Sequence, residues 1–282
     1  MISIYDSDCF TKLNFTYSKF PDGTFHIKMD LPDDYEGGEV NIEWKYENEE
    51  EMILLFYLVS YIKEHFNSDI YLDLPYIPNA RMDRVEDDKT VFTLKYFCNF
   101  INSLNFTAVG VRDPHSDVSI ALLDRVVVRY GKDDVNENID NINDSDILYK
   151  ENSRIDMLFF PDEGAMKRYS KKCTIPFAYG QKIRNWQTGE ILDYTVVNPN
   201  QCDIEGKNIL IVDDISSYGG TFYHAAKKLK DTYGANKVWL YVTHCENNIL
   251  NGKLPDSGYV DHVFTSNSIF TKENETDFVT II

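Results

Sequence analysis

Two kinds of apolar pattern alternate along the chain, and the alternation occurs twice. Residues 49–66, EEEMILLFYLVSYIKEHF, open on three acids and then place apolar residues at helical spacing. Acids suit the partial positive charge of a helix N-terminus, so this stretch predicts a helix. Ahead of it, residues 1–45 read as short strands and turns, with FTYSKF and TFHIKM on either side of PDG. After it, DIYLDLPYIP reads as a strand entering a proline-rich loop, VFTLKYFCNFINSL as a helix and TAVGVRD as a strand. Residues 131–148, GKDDVNENIDNINDSDIL, are acidic, rich in asparagine and poor in periodicity, and read as a linker or surface loop. A second series follows: DMLFFPD, GAMKRYSKKC, PFAYGQKI, a long polar segment, NILIVDD, TFYHAAKKLKDTYG and KVWLYVTH. Strands alternating with helices predict parallel sheets with helices on both faces. The expectation is therefore an α/β protein of two domains, 1–138 and 139–282.

Composition narrows the partners. The 282 residues are 43% hydrophobic, ample for packed cores, and the formal net charge is −18. So acidic a surface repels nucleic acid and anionic membrane. A phosphorylated substrate would need local cations or a metal to overcome that field. With no apolar leader or long apolar span, the chain is expected in the cytoplasm, a host's if the source is viral. Cys9, Cys98, Cys173, Cys202 and Cys245 are odd in number and lack zinc or redox spacing, which favours free thiols in a reducing compartment.

The most informative stretch is ILIVDDISSYGGTFYHAA, Ile209–Ala226. An apolar strand ends in Asp213 and Asp214, a small polar loop follows, and a helix begins. Ligands of open α/β sheets bind at the carboxyl ends of the strands. Backbone N–H groups at a helix start receive an anion, and Gly219 and Gly220 let the backbone approach it. Thr221 either caps the helix or binds the anion. Carboxylates beside an anion site suit a ribose phosphate, whose vicinal hydroxyls donate to Asp213 and Asp214. The plainer reading is a tight turn with capping aspartates.

VDDISSYGGT resembles the ribose-phosphate loop shared by phosphoribosyltransferases and ribose-phosphate diphosphokinases, the PRPP synthetases. Further motifs, in order from Phe20 to about Ser266, favour the second family. That resemblance implies two phosphoribosyltransferase-like domains, each a mainly parallel sheet flanked by helices. The N-terminal domain would form the ATP side, and the last strand could return to it. The family assembles as homo-oligomers, dimers or hexamers.

LPYIPNARMDR resembles the family's ATP segment, with Arg81, Asp83 and Arg84 on one loop; two guanidiniums suit a triphosphate. FPDG resembles its adenine loop, with Phe20 stacking and Asp22 accepting from the base. VRDPHSD resembles its metal site, giving His115 and Asp113 to Mg²⁺, an assignment that rests on resemblance because Mg²⁺ prefers oxygen. FFPDEGAMKR resembles its diphosphate loop, with Asp162 as a further metal contact and Gly164 giving backbone access. GQKIRNWQTGEI lies where the family carries a catalytic flap, with Lys182 and Arg184 as its cations. Each segment has a bland reading too: turn, surface loop, N-cap or exposed hairpin.

The resemblance implies Mg²⁺-dependent transfer of the diphosphoryl group of ATP to the 1-hydroxyl of a ribose, releasing AMP. Departures lie at Thr24, where the family has glutamate, at Met82, where it has glutamine, and at Ala165, where it has glycine. Most telling is the loop itself, Ser216 to Thr221, where Ser217, Tyr218, Gly219, Gly220 and Thr221 stand in place of the family's Asp-Thr-Gly-Gly-Thr. Serine for aspartate lowers repulsion of a second phosphate, and Tyr218 offers a flat face to a base. Both changes would suit ADP-ribose as acceptor, in NAD rebuilding as in phage-type relatives, in place of ribose 5-phosphate. The rival expectations are a phosphoribosyltransferase, which would need no ATP segment, and a catalytically silent regulatory relative.

Overall fold

The computed structural model describes residues 1–7, 11–32, 35–85, 87–129, 131–184 and 191–282. It divides into two compact units, Met1–Arg129 and Tyr130–Ile282. The first unit runs β1 (Ile2–Asp6), β2 (Thr11–Lys12), β3 (Asn14–Lys19), β4 (Phe25–Asp30), β5 (Glu39–Trp44), α1 (Glu50–His65), β6 (Asp69–Leu74), α2 (Thr93–Ser103), β7 (Ala108–Arg112), α3 (Asp117–Leu122) and β8 (Val126–Arg129). Its sheet has the order β2-β1-β5-β6-β7-β8, parallel from β5 to β8, while β3 and β4 form a separate antiparallel hairpin. The acids ahead of α1 are partly structural: buried Glu51 accepts from Trp44 Nε1 and from the Glu47 backbone N–H, each at 2.9 Å.

In this unit the buried strand positions alternate along each strand and share one face: Val40 and Ile42, Ile70 and Leu72, Val109 and Val111. They pack with Leu54, Leu55 and Leu58 of α1 and Leu94 and Phe97 of α2 in one core. The opposite face carries Asn41, Glu43, Tyr71, Asp73, Gly110, Val127 and Arg129 and borders an open hollow of about 550 Å³.

The second unit runs α4 (Gly131–Asn143), α5 (Asp146–Lys150), β9 (Met157–Phe160), α6 (Glu163–Tyr169), β10 (Phe177–Arg184), β11 (Ile191–Val197), β12 (Asn208–Ser216), α7 (Gly220–Tyr233), β13 (Lys237–Cys245), β14 (His262–Thr265) and β15 (Val279–Ile281). The sheet order is β11-β10-β9-β12-β13-β14-β15, parallel except for the β10–β11 hairpin. This sheet is buried on both faces, as period-two geometry allows when helices cover each side. Ile209 and Ile211 pack with Phe222, Ala225 and Leu229 of α7. Leu210 and Val212 pack with Ala165 and Tyr169 of α6 and with Val135, Ile139 and Ile142 of α4.

Two expectations are corrected here. Residues 131–148 are not a linker: they form α4 and enter α5. Val135, Ile139 and Ile142 recur at four- and three-residue spacing, and three apolar residues on one face suffice to seat a polar helix on the sheet. The units accordingly part after Arg129, not at 138/139. The last strand, β15, pairs with β14 inside the second unit's own sheet rather than returning to the first unit. Among the described residues no helix is long and apolar enough to cross a membrane.

Candidate active site

The parallel strands of the second unit end together, and their carboxyl edge collects the chemistry. β12 brings Asp213 and Asp214 to that edge. Asp213 Oδ1 accepts the Asp214 backbone N–H at 2.9 Å. Burial raises the Asp213 carboxyl well above the usual range, and the charges of Asp214 and Asp162 push it the same way. Carboxylates crowded like this gain from a ligand that brings hydroxyl donors or a cation.

The loop that follows is shaped by packing as much as by sequence. Gly219 is the residue before α7 and has φ +75°. A Cβ there would lie 2.9 Å from Leu254 Cγ, so both backbone and space demand glycine. The Glu246 N–H donates to the Ser216 carbonyl at 2.8 Å and pins the start of the loop. Gly252 packs against the Tyr218 carbonyl from the next segment. Ser216 and Gly219 are thus buried, while Gly220 and Tyr218 face solvent, Tyr218 at 57%. The first N–H groups of α7, a 14-residue helix, have no partners within it, which is the condition for holding an anion.

On the neighbouring strand, β9 ends at Phe160, Pro161 follows, and Asp162 is the residue before α6. Asp162 Oδ1 accepts the Ala165 N–H at 3.0 Å, an N-cap bond. Gly164 is exposed, and a Cβ there would lie 3.2 Å from the same carboxylate oxygen. β10 carries Lys182 and Arg184 on its backbone, paired with β11, where Lys182 stands opposite Tyr194. The side chains of Lys182 and Arg184, and residues 185–190 of the flap segment, lie outside the described residues.

Reading the sequence missed two side chains of this edge. Arg168, in the last turn of α6, forms an ion pair of 3.1 Å with Asp214, which is 6% exposed at its side chain. Tyr194 donates its hydroxyl to the Pro161 carbonyl at 2.9 Å. Arg168 closes the FFPDEGAMKR segment and Tyr194 lies in no such segment; a basic residue in a last helical turn and a tyrosine in a hairpin strand are too common to single out.

The remaining expected residues belong to the first unit. Arg81, Asp83 and Arg84 follow a turn in which the Met82 N–H donates to the Asn79 carbonyl at 2.8 Å, anchored by buried Ile77 and Ala80. Both arginines are exposed. Phe20, 51% exposed, sits at the tip of the β3–β4 hairpin with its ring 5.4 Å from His26. Asp22 Oδ1 accepts both the N–H (3.0 Å) and the hydroxyl (2.7 Å) of Thr24, which hold its carboxyl below the ordinary range. Asp113 is fully buried at the end of β7, with φ +39° and its N–H on the Arg129 carbonyl at 2.6 Å. His115 is half-buried in the loop that leads to α3.

Among the described residues no three His, Cys, Asp or Glu stand close enough to enclose a metal ion. Asp162 nevertheless offers carboxylate oxygen, which suits a hard cation. Mg²⁺ commonly keeps its waters and is held by one or two carboxylates plus substrate phosphates, so a full protein cage is not required.

A family model for the phosphoribosyl transferase domain matches residues 133–278, just over half of the chain. The chain belongs to this family. Its similarity to known proteins extends beyond residues 133–278. Ribose-phosphate pyrophosphokinase of Sulfolobus acidocaldarius is 25% identical over 276 residues, covering 93% of this chain and 86% of the relative. The Thermococcus kodakarensis protein of the same name is 24% identical over 230 residues, covering 80% and 75%. Phosphoribosylpyrophosphate synthetase of Mycobacterium smegmatis superposes with a TM-score of 0.71 over 96% of this chain and 86% of its own, at 19% identity, which establishes the shared fold. The α/β architecture and the kinship with ribose-phosphate diphosphokinases expected from the motifs are therefore borne out.

Proposed function

We propose that the protein is a diphosphotransferase that moves the diphosphoryl group of ATP to the 1-hydroxyl of a ribose 5-phosphate moiety. The observation that carries this reading is the carboxyl edge of the second unit, which gathers an anion-binding helix start, paired aspartates and the Asp162 loop. The full-length similarity to ribose-phosphate pyrophosphokinases supports it. In this reading the loop Ser216–Thr221 binds the 5-phosphate and Asp213 and Asp214 hold the ribose hydroxyls. The first unit supplies the ATP side through Arg81, Asp83, Arg84, Phe20 and Asp22.

The anomeric oxygen attacks the β-phosphorus of ATP in line, the bond from that phosphorus to the α-phosphate oxygen breaks, and AMP leaves. The anomeric hydroxyl gives up its proton to solvent water as the new bond forms. Such transfers depend on positioning and charge stabilisation more than on covalent chemistry by the protein. Lys182 and Arg184 supply positive charge to the transferring group, against the field of a strongly acidic chain. Mg²⁺, when bound through Asp162 and on the ATP side near His115 and Asp113, would neutralise phosphate charge. Arg168 holds Asp214 in place.

A second acceptor has one observation in its favour. Tyr218 lies in the phosphate loop and is 57% exposed. An adenine could stack on it, with base–aromatic stacking of about 1–3 kcal/mol available to favour ADP-ribose.

Product analysis tests both. Purified protein is mixed with Mg²⁺ and ATP, ribose 5-phosphate or ADP-ribose is added in parallel, and AMP and the new diphosphate are quantified. AMP with ribose 5-phosphate alone supports PRPP synthesis, and AMP with ADP-ribose assigns Tyr218 a role in acceptor choice. Lys182→Ala should lower kcat far more than it raises KM. No AMP with either acceptor refutes the proposal and favours a silent relative.

A further inference from the structure

The root of the β10–β11 hairpin contains a fitted pair that the proposed reaction does not yet use. Tyr194 of β11 is half-buried and reaches across the hairpin, so that its ring lies over Gly180 of β10. A Cβ at Gly180 would collide with the phenol and would lie 2.7 Å from the Pro161 carbonyl oxygen. That same carbonyl accepts the Tyr194 hydroxyl at 2.9 Å. Three segments therefore meet at one point: β11 through Tyr194, β10 through Gly180, and the turn after β9 through Pro161. Pro161 is buried and immediately precedes Asp162. In the strand register Gly180 pairs with Val196 and Lys182 with Tyr194.

We infer that Tyr194 is a positioning residue: its phenol, seated in the gap left by Gly180, fastens the strand carrying Lys182 and Arg184 to the root of the Asp162 loop. This rests on the diphosphotransferase reading given above. A hydrogen bond from a stiff aromatic side chain fixes both distance and direction, whereas backbone pairing between β9 and β10 ends at Tyr179↔Phe160. Beyond that point the phenol adds a side-chain link between the hairpin and the loop. Burial, with the charges of Asp162 and Asp213, raises the phenol well above its ordinary pKa. The hydroxyl accordingly stays protonated and remains a donor at any working pH.

Tyr194→Phe removes the donor and keeps the ring; Tyr194→Leu removes both. If the hydroxyl positions the strand, the Phe variant alone loses kcat on the order of tenfold or more, with KM for the acceptor little changed. Hydrogen–deuterium exchange of the wild-type and Phe proteins, without substrates, gives a readout independent of activity. Peptides covering residues 157–164 and 177–184 should exchange faster in the Phe variant while its melting temperature stays near wild type. A Phe variant with wild-type kcat and wild-type exchange, beside a Leu variant that loses both, makes Tyr194 a packing residue and overturns the inference. Should wild-type protein release no AMP with either acceptor, the diphosphotransferase reading falls on its own account. Exchange then decides alone whether the phenol fastens the hairpin: faster exchange in Phe supports the fastening, unchanged exchange refutes it.

Discussion

The two sheets bury their apolar residues differently. In the first unit, β6 reads DIYLDL, and only Ile70, Leu72 and Leu74 are buried. In the second, β12 reads NILIVDDIS, and Ile209, Leu210, Ile211 and Val212 are all at 1% exposure or less. Alternation marks a strand with one covered face and an unbroken run marks one with two. The lesson is that the second unit's strands are held from both sides, so their ends, where the site lies, are fixed more firmly. Consecutive substitutions break or sharpen this contrast most directly. Leu210→Ala and Ile211→Ala should each cost about 2–5 kcal/mol, because both leave cavities in close-packed cores. In the first unit Leu72→Ala should cost as much, while Tyr71→Ala should leave the denaturation midpoint within error. Urea titration of the four variants reads this, and equal losses at Leu72 and Tyr71 would show that the first sheet is covered on both faces too.

The same contrast explains what the sequence disclosed. Alternating strands and helices announced the α/β class, and the runs LFF, ILIV and WLYV gave away the central strands of the second unit. The phosphate loop was legible because its requirements are local: glycine at φ +75°, small residues, then a helix start. α4 was not legible, since its three core residues are scattered among aspartates and asparagines and its burial is decided by the sheet beneath it. Arg168 and Tyr194 were hidden for another reason. Each acts on a partner far along the chain, Asp214 and Pro161, and such pairings leave no periodic trace. The strand β15 was legible as a last strand but not its place, because its pairing with β14 depends on the neighbour and not on its own few residues.

That edge strand supplies a lever on the second unit alone. His262 of β14 is 4% exposed; its Nδ1 lies 3.1 Å from the Asp277 carbonyl and its Nε2 3.0 Å from Thr280 Oγ1 of β15. A carbonyl only accepts, so the neutral ring donates from Nδ1 and accepts at Nε2. Burial pushes its pKa from 6.5 down to about 4. The unfolded chain therefore binds a proton below pH 6.5 that the folded protein refuses until about pH 4. Stability is fully present above pH 6.5 and falls as the pH drops through that window, by about 3 kcal/mol for this group. The difference in stability between wild type and His262→Gln should shrink or reverse on going from pH 7 to pH 4. Parallel curves in urea titrations at those pH values would mean that His262 is not held neutral.

The smallest effect on stability separates the two readings of Asp162 with which the sequence began. Its carboxylate caps α6 through the Ala165 N–H, and a cap alone would account for an aspartate at a strand-to-helix turn. Asparagine caps about as well as aspartate but has no charge to offer a cation. Asp162→Ala should therefore cost about 1 kcal/mol, and Asp162→Asn only a few tenths. It should also ease the repulsion that Asp162 contributes to the Asp213 carboxyl, which is a gain in the absence of ligand. If the loop serves only to start a helix, the Asn variant keeps its turnover, and kcat and the Mg²⁺ concentration dependence match wild type. If Asp162 meets the cation on the diphosphate, the Asn variant melts like wild type yet needs more Mg²⁺ and turns over more slowly. The measurement that decides is a Mg²⁺ titration of AMP release by both proteins at saturating ATP. A shifted midpoint with an unshifted melting temperature assigns the carboxylate to the ligand and its geometry to the cap, two roles that a single oxygen pair can fill.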